Sequence, residues 1–158
     1  MLVPAYLYKE ELEKEFIKII YSEDAFYYTG VPHCNEFLTL EPKTNVYRWA
    51  VVDKDKNLIG YFAYHVDPTV SGVNGFGLIS FKKGTFTIIG DVRDKMEELI
   101  SHYHRVEWRC IGGNPIIPIY EKFTKKHNGR IMLFKDVLID NEGKYRDEYF
   151  YEIINIHV

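Results

Sequence analysis

The chain has 158 residues, of which 46% are hydrophobic and 27% are charged, so its composition is typical of a globular domain and not of a disordered chain. A net charge of −3 argues against nucleic acid or an anionic membrane as a partner, and no apolar run approaches the ~18 residues needed to cross a bilayer. Because the first residues also lack a signal peptide, we expect one cytoplasmic domain over residues 1–158, with Cys34 and Cys110 as reduced thiols.

The first half of the chain is predicted to contain one helix and three strands. Leu12, Phe16 and Ile19 recur at the spacing of one helix face, which predicts a helix over residues 9–21. The stretch from Ser22 to Asn45 has no clear period, and a segment of that length is often functional. Strands are predicted at 47–52, 58–66 and 75–81, the first two as a hairpin.

The second half is predicted to alternate helices and strands before a final hairpin. A helix is predicted over 91–103 with Asp91 as its N-cap, because short polar side chains satisfy the free N–H groups of a first turn. A second helix should begin near Pro115 and end near His127. Strands are predicted at 105–111, 130–139 and 145–155, the last two joined by a turn at 140–143.

Three motifs in the second half carry a resemblance to a known family. A strand is followed by Gly-Gly-Asn-Pro at 112–115, then by Tyr-Glu-Lys-Phe at 120–123, then by a hairpin that ends in Gly-Lys-Tyr-Arg-Asp-Glu-Tyr at 143–149. In this order the motifs resemble the GCN5-related N-acetyltransferase (GNAT) family over about residues 45–156. The resemblance implies an α/β (α+β) fold with a mixed, mostly antiparallel central sheet, flanking helices and a C-terminal β-hairpin.

The resemblance also implies an activity and two site residues. It implies an N-acetyltransferase that uses acetyl-coenzyme A as cosubstrate, needs no metal and acetylates a small-molecule or protein amine. By the same resemblance, Asn114 would contact the pantetheine arm and Tyr120 would protonate the departing thiolate. The alternative is structural: Asn114 caps the helix that follows it, and Tyr120 belongs to the apolar face of that helix.

The stretch that corresponds to the family's pyrophosphate loop departs from the family pattern. Its candidate coenzyme-binding residues are Phe81, Lys82, Lys83, Gly90 and Asp91. The glycines lack the usual paired spacing, and Asp91 brings a carboxylate to a place made for phosphate. A second interpretation is therefore a non-catalytic GNAT-like binding or assembly module that has lost the coenzyme site and could form a homodimer through its final hairpin.

The general base is the least defined part of the predicted site. Glu107 on the strand at 105–111 is the first candidate, with His65 and Asp67 as alternatives, although Glu107 could instead face solvent or pair with Arg109. The histidines and cysteines lack the spacing of a metal site. A third interpretation, an unrelated α+β domain with an accidental similarity, would be excluded by a splay between the strands at 75–81 and 105–111.

Overall fold

The computed structural model describes residues 1–22, 26–27, 40–82 and 86–158. Its strands are β1 Leu2–Pro4, β2 Val46–Val52, β3 Leu58–Asp67, β4 Gly72–Ser80, β5 Arg105–Ile111, β6 Arg130–Ile139 and β7 Tyr145–Ile154. Its helices are α1 Lys9–Ile20, which follows a 3-10 turn at Ala5–Tyr8, α2 Phe86–His102 and α3 Ile117–Lys126. Within the described ranges, none of the helices combines the length and the apolar character that crossing a bilayer requires.

All seven strands form one mixed sheet, in the order β1-β2-β3-β4-β5-β7-β6. Neighbouring strands are antiparallel except β4 and β5, which are parallel. The fold is therefore the mixed α+β sheet with flanking helices and a C-terminal hairpin that the sequence predicted. The hairpin turn is also confirmed, with the Gly143 N–H donating to Asp140 O at 3.0 Å.

The strands β4 and β5 splay apart, as the family resemblance predicted. They pair only at Gly72 with Arg105 and at Val73 with Val106. Past Val73 and Val106 the two strands separate, so their remaining residues leave a V-shaped opening in the middle of the sheet. This splay argues against the interpretation of an unrelated α+β domain.

The helices cover the two faces of the sheet unequally. The helix α1 packs on one face through the buried side chains of Leu12 and Phe16. The helices α2 and α3 share the other face, where Val92 and Met96 of α2 join the larger core cluster and Tyr120 of α3 packs against it. The V-shaped opening is therefore bordered by two helices on one face.

A close approach at Gly60 brings the start of α2 onto the sheet. A β-carbon at Gly60 would lie 2.7 Å from both the carbonyl oxygen of Ile79 and the Cδ1 atom of Ile88. Only glycine leaves room for Ile88, which is 2% exposed and anchors the first turns of α2. Gly60 thus sets how closely one wall of the opening can approach the strands.

Most predicted elements are confirmed, and two helix starts are wrong. The strand β5 spans the predicted residues, and α1 agrees to within one residue. The helix α2 begins at Phe86, five residues before the predicted start, so Asp91 lies inside the helix and is not its N-cap. The helix α3 begins at Ile117 rather than at Pro115. The short β1 was not predicted. The greater part of the irregular segment 22–45 lies outside the described residues.

Candidate functional site

The opening between β4 and β5 leads into a cleft of about 670 Å³. Phe76 of β4 and Trp108 of β5 line it from the sheet, while Met96 of α2 and Ile119 of α3 line it from the helices. Apolar side chains make up most of the lining, and Tyr120 lies among them. The cleft can therefore hold an elongated ligand with an apolar body.

Trp108 is the centre of an aromatic cluster at the base of this cleft. Its ring stacks on Tyr151 with centroids 5.5 Å apart and meets Phe76 edge-on at 6.3 Å. Tyr120 packs edge-on against Trp108 at 5.9 Å and against Tyr151 at 5.6 Å. Edge-to-face and stacked pairs of this kind add stability beyond simple burial. The cluster holds the Tyr120 ring in a defined orientation on the wall of the cleft.

Two polar atoms in the cluster are buried without a hydrogen bond. The indole N–H of Trp108 and the hydroxyl of Tyr151 have no partner among the residues that the structure describes. Burial raises the pKa of Tyr151, so its phenol stays protonated at neutral pH. An unpaired buried donor costs about 1–3 kcal/mol. Of these two residues Trp108 lines the cleft, so its N–H is the group that a bound ligand could satisfy.

Three cationic side chains border the cleft on its helical side. Arg93 belongs to α2, and Lys122 and Lys126 belong to α3. Arg93 pairs with Asp94 at 2.9 Å, and the ammonium of Lys126 lies 2.5 Å from Glu97. Pro118, Lys122 and Lys126 follow one another at intervals of four residues, so they lie on the same face of α3. This spacing was the signal in the sequence that the two lysines lie on one side of the helix, which is the side that borders the cleft.

The structure brings Asn114 and Tyr120 to the same end of α3. The Oδ1 atom of Asn114 accepts a hydrogen bond from the Ile116 N–H at 3.1 Å, which is the capping role considered for it. This contact uses the side-chain oxygen and does not involve the amide nitrogen of the same side chain. Gly113, just before it, has a φ of 93°, a conformation that favours glycine at the end of β5. Capping and ligand contact by Asn114 are therefore compatible.

Those residues predicted to hold the pyrophosphate that the structure describes do not line the cleft. Phe81 packs its ring 6.4 Å from Phe16 on the α1 face, and its N–H donates to Ile59 O at 3.0 Å. Lys82 lies 3.9 Å from the carboxylate of Asp53. Lys83 lies outside the described residues.

Gly90 and Asp91 lie in the second turn of α2 rather than ahead of it. Gly90 has open space around its α-carbon. The carboxylate of Asp91 lies 2.7 Å from the amino group of Met1 and is absent from the cleft lining. The electrostatic conflict expected between Asp91 and a phosphate is therefore reduced, because this carboxylate is paired with a positive charge. The coenzyme roles of Gly90 and Asp91 stay predictions.

The structure does not bring the candidate bases together with Tyr120. The carboxylate of Glu107 lies 2.6 Å from Arg105, on the face of β5 opposite to Trp108. The Nδ1 atom of His65 contacts Asn74 at 3.1 Å, and Asp67 accepts hydrogen bonds from Thr69. None of these three candidates lines the cleft. A catalytic role for Glu107 stays a prediction.

Potential metal ligands are dispersed in the part of the chain that the structure describes. There, no three His, Cys, Asp or Glu side chains come together in a metal-binding arrangement. The imidazole of His102 contacts Glu98 O at 2.7 Å, and that of His104 contacts Asn155 O at 2.9 Å. Both imidazoles thus contact backbone carbonyl groups, His102 within its own helix and His104 near the end of the chain.

Solved structures of low sequence identity share this fold. No protein-family model matches the sequence, and no curated protein is significantly similar to it. The structure of smu.2055 from Streptococcus mutans is 20% identical, with a TM-score of 0.65 over 98% of this chain and 97% of that chain. The spermidine/spermine N-acetyltransferase SpeG from Vibrio cholerae, in complex with manganese ions, is 21% identical, with a TM-score of 0.56 over 71% and 66% of the two chains. A chimera of V. cholerae SpeG and hSSAT is 18% identical, with a TM-score of 0.57 over 71% and 69%. This chain therefore has a fold that N-acetyltransferases use.

Proposed function

We propose that this chain is a divergent member of the GNAT family that transfers an acetyl group from acetyl-coenzyme A to an amine. The observation that carries the proposal is the apolar cleft of about 670 Å³ at the splay of β4 and β5, with Tyr120 on its wall. The fold shared with N-acetyltransferases supports it. The cytoplasmic location expected from the sequence stays part of this proposal.

The residues that surround the cleft fit the chemistry of this cosubstrate. Its elongated arm would lie along the apolar lining, where the Trp108 N–H could donate a hydrogen bond to it. Asn114 does not line the cleft, and its contact with the arm is proposed from the family resemblance. Its phosphates would lie toward Arg93, Lys122 and Lys126, because cations at the edge of an apolar cleft attract an anionic group. When bound, the cosubstrate supplies an activated acetyl thioester.

Tyr120 would act as the general acid of the transfer. The amine nitrogen forms a bond to the thioester carbonyl carbon, the carbon–sulfur bond breaks, and the departing thiolate takes the phenolic proton of Tyr120. The amine loses a proton to solvent or to a base, and the phenol regains one from solvent. The aromatic contacts of Tyr120 with Trp108 and Tyr151 would hold the hydroxyl in place during this step.

A matched pair of charge reversals on α3 tests where the cosubstrate binds. Lys122 borders the cleft, whereas Lys125 on the same helix pairs with Glu121 at 3.4 Å outside the cleft lining. We expect acetyl-coenzyme A to bind the unaltered chain with a Kd in the micromolar range, about −8 kcal/mol. Lys122→Glu should weaken binding about tenfold, a loss of about 1.4 kcal/mol. Calorimetric titration measures both values.

The control separates a local effect from one of net charge. Lys125→Glu changes the net charge of the chain by the same amount and should leave the Kd unchanged. Asn114→Ala should also weaken binding, although part of its effect can come from the lost cap on the Ile116 N–H. Equal losses in the two lysine variants, or no binding at millimolar acetyl-coenzyme A, would contradict the proposal.

The acceptor is proposed only as an amine, either a small molecule or a protein amino group. Spermidine N-acetyltransferases are among the solved structures with this fold, so polyamines are the first amines to screen. Release of free thiol from acetyl-coenzyme A in the presence of each amine reports transfer whatever the acetylated product is.

A second candidate function is that of an assembly module, and the edge strand β6 favours it. The strand β6 is the last of the sheet, and it carries exposed apolar side chains on both faces. They are Met132, Leu133, Phe134, Val137 and Ile139. An apolar edge strand is a template for pairing with another chain, although β6 is bulged between Phe134 and Leu138, where Lys135 and Asp136 interrupt its apolar residues. We propose a second copy of this chain as the partner of β6, which would pair through these exposed apolar side chains.

Self-association through β6 is tested by replacing one exposed apolar residue of β6 with lysine and by making the same kind of change on another surface as a control. Phe134→Lys should shift a dimer toward monomer by at least tenfold in dissociation constant, because it buries a charge at the interface. Ile17 on α1 is 56% exposed, so Ile17→Lys is the control that should leave association unchanged. Sedimentation velocity over a range of concentrations measures both. A monomer at every concentration of the unaltered chain excludes this function.

A further inference from the structure

A second cavity lies on the α2 face of the sheet, away from the cleft. It has a volume of about 350 Å³ and is bordered by β2, β3 and the second half of α2. It shares no lining residue with the cleft described above. We call it the aromatic box. Its lining includes the aromatic rings of Tyr47, Trp49, Tyr64 and Tyr103, the imidazole of His102, and the charged side chains of Lys95 and Glu98.

The rings of the aromatic box already hold an ammonium group. The Nζ atom of Lys95 lies 5.1 Å from the centroid of the Trp49 ring, within the range of a cation–π interaction. The same ammonium lies 2.6 Å from the carboxylate of Glu98. Tyr47 and Tyr64 stack beside it with centroids 5.2 Å apart. The combination of aromatic faces with one carboxylate is the chemistry that recognises an organic cation.

Burial makes these contacts stronger than surface contacts of the same kind. The side chain of Lys95 is 17% exposed, and Tyr64 is buried. Burial raises the pKa of Tyr64 to about 12, so its phenol stays neutral and presents its ring without a competing charge. Glu98 is half-exposed and so lies where a cation can approach from solvent.

We propose that the aromatic box is a second ligand site, which takes an alkylammonium ion in place of the Lys95 side chain. Lysine carries its charge on a flexible four-carbon stem, so its ammonium can leave the box for solvent while the helix stays in place. One carboxylate does not neutralise two ammonium groups, so the ligand and Lys95 compete. Lys95 thus lowers the affinity of the box, and its removal raises that affinity.

The test uses choline as the probe and two variants at Lys95. Lys95→Ala empties the box, whereas Lys95→Arg keeps a cation in it. We expect choline to bind Lys95→Ala at least tenfold more tightly than the unaltered chain, and Lys95→Arg no more than threefold more tightly. The chemical shift of the Trp49 indole N–H, followed by NMR during titration at pH 8, measures each Kd at the ring that holds the cation.

Two controls test whether binding depends on the positive charge of choline and on the carboxylate of Glu98 in the aromatic box. The uncharged analogue of choline, with carbon in place of the quaternary nitrogen, should bind at least tenfold more weakly to Lys95→Ala. Glu98→Gln in the Lys95→Ala background should weaken choline binding about fivefold, as expected for a half-exposed ion pair. Equal affinity for choline and its carbon analogue would overturn the proposal, and so would equal choline affinity in the alanine and arginine variants. The NMR titrations contain no acetyl-coenzyme A, so their outcome does not depend on the proposed acetyl transfer.

Discussion

Replacement of Tyr120 by phenylalanine is expected to slow acetyl transfer by about 10²–10⁴-fold, the range that a positioned general acid supplies. The phenylalanine ring keeps the edge-on contacts with Trp108 and Tyr151, so the fold and the cleft should be retained. Affinity for acetyl-coenzyme A should change by less than threefold, because only the proton donor to the thiolate is lost. Steady-state rates of thiol release, together with calorimetric titration of the same variant, measure the two effects separately.

The control for this result is a tyrosine that lies outside the cleft. Tyr145 at the start of β7 is 57% exposed, so Tyr145→Phe removes a phenol without altering the cleft. Its transfer rate should match that of the unaltered chain. If Tyr120→Phe retains more than half of the rate, the hydroxyl is not the proton donor, and Tyr120 is a packing residue of α3.

Replacement of Trp108 by alanine is expected to lower the free energy of unfolding by about 3–5 kcal/mol, the usual cost of truncating a large buried aromatic side chain. Trp108 is 4% exposed and contacts aromatic rings from β4, α3 and β7, so its loss leaves a cavity that several elements share. Since the total free energy of unfolding of a domain is about 5–15 kcal/mol, this loss should be visible as a large shift in the midpoint of urea unfolding.

A second tryptophan provides the comparison. Trp49 is half-buried at the aromatic box. Trp49→Ala should therefore lower the free energy of unfolding clearly less than Trp108→Ala does. Equal losses in the two variants would show that the aromatic cluster around Trp108 is not the main support of the core.

The local pattern of residues was enough to predict most elements. The helix face of Leu12 and Phe16 and the alternation along β5 both reflect burial of one side of a regular element, which a single sequence records directly. The turn at Asp140–Gly143 was predictable for the same reason, because its geometry depends on the turn residues themselves. The splay of β4 from β5 followed from the family resemblance and not from any local pattern.

The start of α2 shows where local reasoning fails. Gly90 and Asp91 form an acceptable helix start, and the sequence alone offers no reason to extend the helix before them. Contacts with the sheet decide otherwise: Ile88 packs against Gly60 of β3, and burial of this side chain stabilises helix where propensity is weak. The polar Asp91 is then free to pair with Met1, a partner 90 positions away in the sequence.

The candidate site was predicted only in part for a related reason. The alternation of β5 places Glu107 and Trp108 on opposite faces, but it does not say which face carries the cleft. That depends on where α2 and α3 pack. The sequence favoured Glu107, whereas the tertiary structure places Trp108 at the cleft and Glu107 beside Arg105.

By itself, the sequence indicated the order of the elements, because periodicity and turn residues depend on neighbours along the chain. The mixed sheet and the candidate role of Tyr120 were implied by the resemblance of short motifs to a known family. Only the tertiary structure decided which side chains meet. Trp108, Tyr120 and Phe76 come from three separate elements, and the rings of the aromatic box come from β2, β3 and the chain just after α2. The physical reason is that cavities form where packed elements leave space between them, and that space is set by distances among residues far apart in sequence.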